Sequence, residues 1–129
     1  MKVHLQYGRN GLDVELPFSQ VNVLQPKYIP GLADEHGEFL KSCEKPVNSS
    51  PLKELFRTED RVAVVIPDGT RALPSERLLS WLFTELAHIP CQNFTIILGT
   101  GTHRPNTPEE ILGIVGPQID KTFSVINHN

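Results

Sequence analysis

The chain has 129 residues, enough for one compact domain that buries roughly two thirds of its unfolded surface. With 39% hydrophobic and 21% charged residues, it is neither a disordered chain nor a membrane-embedded one. A formal charge of -3, with no basic stripe interleaved with aromatics, argues against a nucleic-acid partner.

The opening residues Met1 to Gln6 turn polar at once, and the longest apolar run, Val62 to Pro67, is too short to cross a bilayer. No secretory leader and no membrane partner are expected, which makes the cytoplasm the expected compartment. Cys43 and Cys91 stand outside any Cys-rich framework, so two reduced, structural thiols are expected.

Val3, Leu5 and Tyr7 alternate with polar residues, as do Leu12, Val14 and Leu16, on either side of Gly8-Arg9-Asn10-Gly11. Alternation flanking an Asn-Gly pair predicts an antiparallel hairpin, because Asn and Gly tolerate the positive φ of such turns. Asn22 to Leu24 reads as a further short strand, followed by a Pro-rich connection from Gln25 to Gly31. Between Ala33 and Lys45, Phe39, Leu40 and Cys43 lie at helical spacing, and Pro46 ends the pattern. Ser50-Pro51-Leu52 places a capping hydroxyl before a proline and predicts one or two helical turns, with Leu52, Leu55 and Phe56 on the apolar side.

The second half repeats a strand, a polar loop and a helix. Val62 to Ile66 is an unbroken run ending at Pro67-Asp68-Gly69, as expected of a strand covered on both faces. A helix follows from Pro74 to about His88, with Leu78, Leu79, Leu82, Phe83 and Leu86 on one side. Phe94 to Leu98 is the next buried strand, and Thr107-Pro108-Glu109-Glu110 spells a capping box with proline at the first helical position. Gly116-Pro117 stops that helix, and Phe123 to Asn127 reads as a last strand. The expected class is α/β: a three-layer, Rossmann-like, mainly parallel sheet with right-handed crossovers, plus the N-terminal antiparallel hairpin.

In open parallel sheets ligands bind beyond the carboxyl ends of the strands. Asp68-Gly69-Thr70-Arg71 follows one buried strand, and Gly99-Thr100-Gly101-Thr102-His103-Arg104 follows the next. If the strands are neighbours their ends lie roughly 5 Å apart, so Arg71 and His103 reach one small ligand. Arg71 suits a carboxylate or phosphate through paired charge-assisted hydrogen bonds. Asp68 is placed to orient that guanidinium or to accept from a ligand hydroxyl. Gly99 and Gly101 let backbone N–H groups approach an anion, and Thr100 and Thr102 add hydroxyls. His103 suits proton exchange near neutral pH. The bland alternatives are a turn cap at Asp68 and plain loop punctuation at Gly99 and Gly101. His4, His36, His88 and His128 read as structural or solvated, and no His, Cys or carboxylate spacing makes a metal site within this chain.

Asp68-Gly69-Thr70-Arg71-Ala72-Leu73-Pro74 resembles the Asp-x-Thr-Arg-x-x-Pro motif of the nickel-pincer-nucleotide-dependent lactate racemase family. Gly99 to Glu110 resembles the family's Ala-Thr-Gly-x-His-Arg-Pro-x-Thr-x-Glu-Glu motif, in the right order. The resemblance covers most of residues 1–129 and only the N-terminal domain of a larger two-domain enzyme. It implies a racemase of lactate-type 2-hydroxy acids whose nickel sits in a pincer made from a pyridinium nucleotide. His103 would be one of two acid/base histidines; Arg71 would bind substrate carboxylate or cofactor, with Asp68, Thr70 and the Gly99 to Thr102 and Arg104 loop beside it. Ala72 stands where many relatives have proline. The second histidine, the pincer-tethering lysine and the nickel-binding histidine belong to downstream sequence, so the C-terminal domain is the expected partner and the fragment alone is expected to be inactive, without a tightly bound cofactor. A non-catalytic module for a nucleotide or small anion, and a racemase or epimerase of another 2-hydroxy acid such as a sugar acid, are the alternatives.

Overall fold

The computed structural model describes residues 1–18 and 20–128. The chain divides into two compact units, Met1–Gly31 and Leu32–Asn129. In the first, β1 (Lys2–Leu5) pairs antiparallel with β2 (Leu12–Glu15), Lys2 opposite Glu15 and Leu5 opposite Leu12. The hairpin is the expected one, but its connection is a wider loop in which Gly8 and Gly11, not Asn10, take the left-handed conformation. Asp13 fastens the pair by accepting from His4 Nδ1 at 2.7 Å and Lys2 Nζ at 3.0 Å. Asn22 to Leu24 form no strand; a three-residue segment without a pairing neighbour leaves its backbone groups to solvent.

The second unit is built on a parallel sheet of β3 (Val62–Pro67), β4 (Phe94–Gly99) and β5 (Ser124–Asn127), in the order β3-β4-β5. α1 (Glu35–Glu44) begins at Asp34, whose carboxylate accepts from Gly37 N. Leu52–Leu55 is a single 3₁₀ turn; Ser50 does not cap it, because Pro51 occupies the cap position in an extended conformation. α2 (Ser75–Glu85) links β3 to β4, and α3 (Pro108–Val115) and α4 (Pro117–Thr122) link β4 to β5. The capping box predicted at Thr107 and Glu110 is present. Gly116 takes φ 82°, ends α3, and lets Pro117 open the unanticipated α4. A proline after a glycine is equally suited to follow one helix and to start another.

Side chains alternate across a strand, and here the alternation sorts the core to one side. Ile66, Ile96 and Leu98 are buried against Leu79 of α2, Val115 of α3 and Ile119 of α4. Leu86, Ile89 and Phe94 form an adjoining cluster beneath Leu52 and Phe56. Phe83 stacks on Phe123 with ring centroids 3.8 Å apart. The α/β class is as expected, with the hairpin as its own two-stranded sheet. The expectation of β3 covered on both faces is corrected: Val65, on the opposite face, is 68% exposed. All the core contacts of the helices reach the face that carries Val64 and Ile66, so the described residues of this unit supply helices on one side of the sheet only.

One-sided burial separates the effects of substitution. Ile96→Ala, on the helix-covered face, is expected to cost about 2 to 5 kcal/mol in urea unfolding. Val65→Thr, on the other face, is expected to change stability by about 0.5 kcal/mol or less. Equal losses would contradict the assignment of faces.

Candidate active site

Pro67 and Gly99, the last residues of β3 and β4, are directly paired, so the two polar loops leave the sheet side by side. Asp68 follows the strand end and is only 6% exposed. One of its oxygens accepts from the Thr70 hydroxyl at 2.6 Å and from Thr70 N at 3.2 Å; the other bonds His103 Nδ1 at 2.7 Å. The Thr70 hydroxyl first, then His103, hold the Asp68 carboxyl well below the usual range, to about 2. An ionised carboxylate only accepts hydrogen bonds, so Nδ1 of His103 must carry the hydrogen. In neutral His103, Nε2 is then the nitrogen with a free lone pair, on a side chain that is 53% exposed.

The loop bearing His103 is tied at three places. The Thr100 hydroxyl donates to His128 O at 2.9 Å, and His103 N donates to Thr100 O at 2.9 Å. Asn127 Oδ1 accepts from both Asn106 N and Asn106 Nδ2 at 2.9 Å, and Asn127 Nδ2 returns a bond to Asn106 O. Arg104 forms a two-pronged pair with Glu110 at 2.8 and 2.7 Å, while the same Glu110 accepts from Thr107 N to complete the α3 cap. Arg104 foremost, and the Thr107 N–H after it, hold the Glu110 carboxyl down at about 2.

Arg71 and His103 line a common cleft of about 250 Å³ with Pro67, Asp68, Thr70 and the run Gly99 to Thr102. Among the described residues no carboxylate pairs with the Arg71 guanidinium. Gly101 sits at φ 59°, a conformation that favours glycine. A second cleft of about 350 Å³ shares Asp68, Thr70 and His103, and adds Gly69, Arg104, Asn106, Glu110 and Ile114.

The structure thus brings together Asp68, Thr70, Arg71, Gly99, Thr100, Gly101, Thr102 and His103, while turning three of the expected roles inward. Asp68 orients His103 and not Arg71, the Thr100 hydroxyl is spent on the main chain, and Arg104 is engaged by Glu110. Asn127 escaped sequence reasoning; its partner lies 21 residues away and no local pattern marks it. Elsewhere, His36 stacks on Trp81, His88 bonds Phe56 O, and Cys43 and Cys91 are free thiols. Among the described residues, no three His, Cys, Asp or Glu side chains could hold a metal ion. None of the described helices is long and apolar enough to cross a membrane.

A buried aspartate holding a histidine at paired strand ends, beside an arginine with no carboxylate partner among the described residues, defines an α/β domain with a polar cleft at the carboxyl ends of its strands. The family model for the lactate racemase N-terminal domain matches residues 7–129, and the chain belongs to that family. It is 32% identical over 89 residues to the lactate racemase of Lactiplantibacillus plantarum, covering 68% of this chain and 21% of that protein. It is 24% identical over 133 residues to the lactate racemase of Thermoanaerobacterium thermosaccharolyticum, covering 98% and 31%. The solved lactate racemase apoprotein from the latter organism superposes with a TM-score of 0.75 at 20% identity, covering 100% of this chain and 30% of that one, and so shares the fold. The chain spans between about a fifth and a third of the length of these relatives.

Because the folded-state pKa values of Asp68 and Glu110 are lowered to about 2, their stabilisation is complete above their unfolded values and is lost as pH falls towards 2. Acid unfolding is expected to set in between about pH 4 and 2. Glu110→Gln should flatten that acid dependence; an unchanged slope in the variant would contradict the clamp.

Proposed function

We propose that this chain is the N-terminal domain of a cytoplasmic racemase of lactate-type 2-hydroxy acids, and that it supplies one half of a site completed by a C-terminal domain. The observation that carries this reading is the shared cleft of Arg71 and the Asp68-held His103 at the ends of paired parallel strands. Arg71 takes the substrate carboxylate in paired hydrogen bonds. Nε2 of His103 accepts the hydroxyl proton and later returns it, while Asp68 keeps Nδ1 protonated and stabilises the imidazolium that forms. Thr70 fixes the Asp68 carboxylate and thereby the plane of the ring.

The family resemblance brings a nickel-pincer nucleotide with it. Its anionic groups suit the Gly99 to Thr102 run with its left-handed Gly101, whereas no ligand set for nickel exists among the described residues. When bound, that cofactor supplies reversible acceptance of hydride from the substrate α-carbon. This chain's share is to bind the anion, orient the hydroxyl and move its proton; by itself it is expected not to turn over.

In a longer protein carrying this domain, His103→Ala is expected to lower kcat for lactate racemisation by roughly 10² to 10⁴-fold. Arg71→Lys should raise KM about tenfold, because a lysine cannot reproduce the paired contact. Wild-type turnover by His103→Ala, or racemisation by the isolated chain supplied with cofactor, would overturn the proposal. Retention of anion binding with no turnover in the complete protein would favour a binding module instead.

A further inference from the structure

The loop that carries His103 runs from Thr100 to Asn106, and both of its ends are fastened to the end of β5. At its entry, the buried Thr100 donates through its hydroxyl to His128 O at 2.9 Å. At its exit a single side chain does the holding. Asn127 Oδ1 accepts from Asn106 N and from Asn106 Nδ2, both at 2.9 Å, and Asn127 Nδ2 donates to Asn106 O at 3.0 Å. Asn127 lies opposite Leu98 in the sheet, and His128 N donates to Leu98 O at 2.8 Å, so this strand end is itself locked to β4.

The exit is the tighter of the two constraints. Only Arg104 and Pro105 separate His103 from Asn106, the proline ring fixes one of the intervening torsions, and Arg104 is held by Glu110. The entry contains Gly101, the one residue of the loop without a side chain to limit its torsions. Three strand ends thus converge on one histidine: β4 carries it, β3 holds its ring through Asp68, and β5 holds its main chain through Asn127. The hold demands an amide, with an oxygen that accepts two N–H groups and a nitrogen that donates to a carbonyl. An aspartate lacks the donor and an alanine lacks both.

Resting on the reading that His103 exchanges the substrate hydroxyl proton, we infer that Asn127 is a positioning residue for that step: by holding Asn106 it keeps the His103 ring on Asp68 and its Nε2 at the place where the proton is taken. Asn127 lines neither cleft, so it acts through the His103 loop and not on a ligand. Arg71 follows β3 and makes no bond to this strand end, so the grip on a substrate carboxylate is left alone.

Two measurements test the inference. In this chain, the proton that His103 Nδ1 shares with Asp68 is followed by NMR; its exchange with water is expected to speed up at least tenfold in Asn127→Ala while the amide signals of β3 and β4 stay in place. Asn106→Ala, which loses one of the three bonds, should have the smaller effect. In a longer protein carrying this domain, Asn127→Ala is expected to lower kcat about ten- to a hundredfold and to change KM less than twofold. An Nδ1 proton and a kcat indifferent to Asn127→Ala would overturn the positioning role, and if His103→Ala still abolishes turnover the racemase reading stands without it. Wild-type turnover by His103→Ala would instead remove the reading, and the inference with it. Should Asn127→Ala not fold, hydrogen exchange of the unmodified chain decides: Asn106 N–H is expected to be protected about a hundredfold or more, like the amides of β4, and exchange at the rate of a free amide would overturn the inference.

Discussion

The hydrogen bond between Asp68 and His103 joins two loops that meet only because β3 and β4 run parallel and in register to their last residues. Its strength depends on charge: Asp68 is nearly enclosed, yet remains ionised because Thr70 and His103 satisfy both of its oxygens. Placing an acceptor-only carboxylate at Nδ1 decides which ring nitrogen is left with a free lone pair. From one contact follow the tautomer and the orientation of the ring.

A half-exposed histidine on a loop would ordinarily sample many positions. Here the loop is pinned to β5 through Thr100 and Asn106, and to the start of α3 through Arg104 and Glu110. Glu110 serves the helix and the loop with the same carboxylate, which couples the best-formed helix start in the chain to the residue beside His103. Under the proposed function, such fixing of His103 before any ligand arrives would reduce the reorganisation that proton transfer requires. Polar side chains at the strand ends are thereby divided into those that hold the site and the few left open to a ligand, chiefly Arg71 and His103.

The framework from residue 62 onward was legible in sequence because its signals are strong and local: unbroken β-branched runs, a capping box, and apolar positions at helical spacing. The polar clusters at both strand ends were legible for the same reason, and the fold brings them to one cleft. Its internal division of labour was not. Arg104 reads as a ligand-binding cation until Glu110 is seen folded back on it, and Asn127 lies in the last strand with nothing to mark it. A run such as Val62 to Ile66 reads alike whether one face or two are covered, so the exposure of Val65 became visible only in the fold. The short α4 hid behind a glycine-proline pair whose chemistry fits both an ending and a beginning.

The Asp68 bond sets which nitrogen of His103 bears the hydrogen, and nitrogen-15 NMR of the labelled imidazole reads this directly at a pH where the ring is neutral. The Nδ1–H tautomer, with Nε2 unprotonated, is expected in the wild-type chain and should give way to the commoner Nε2–H form in Asp68→Ala. An Nε2–H ring in the wild-type chain, or a tautomer indifferent to the loss of Asp68, would contradict it.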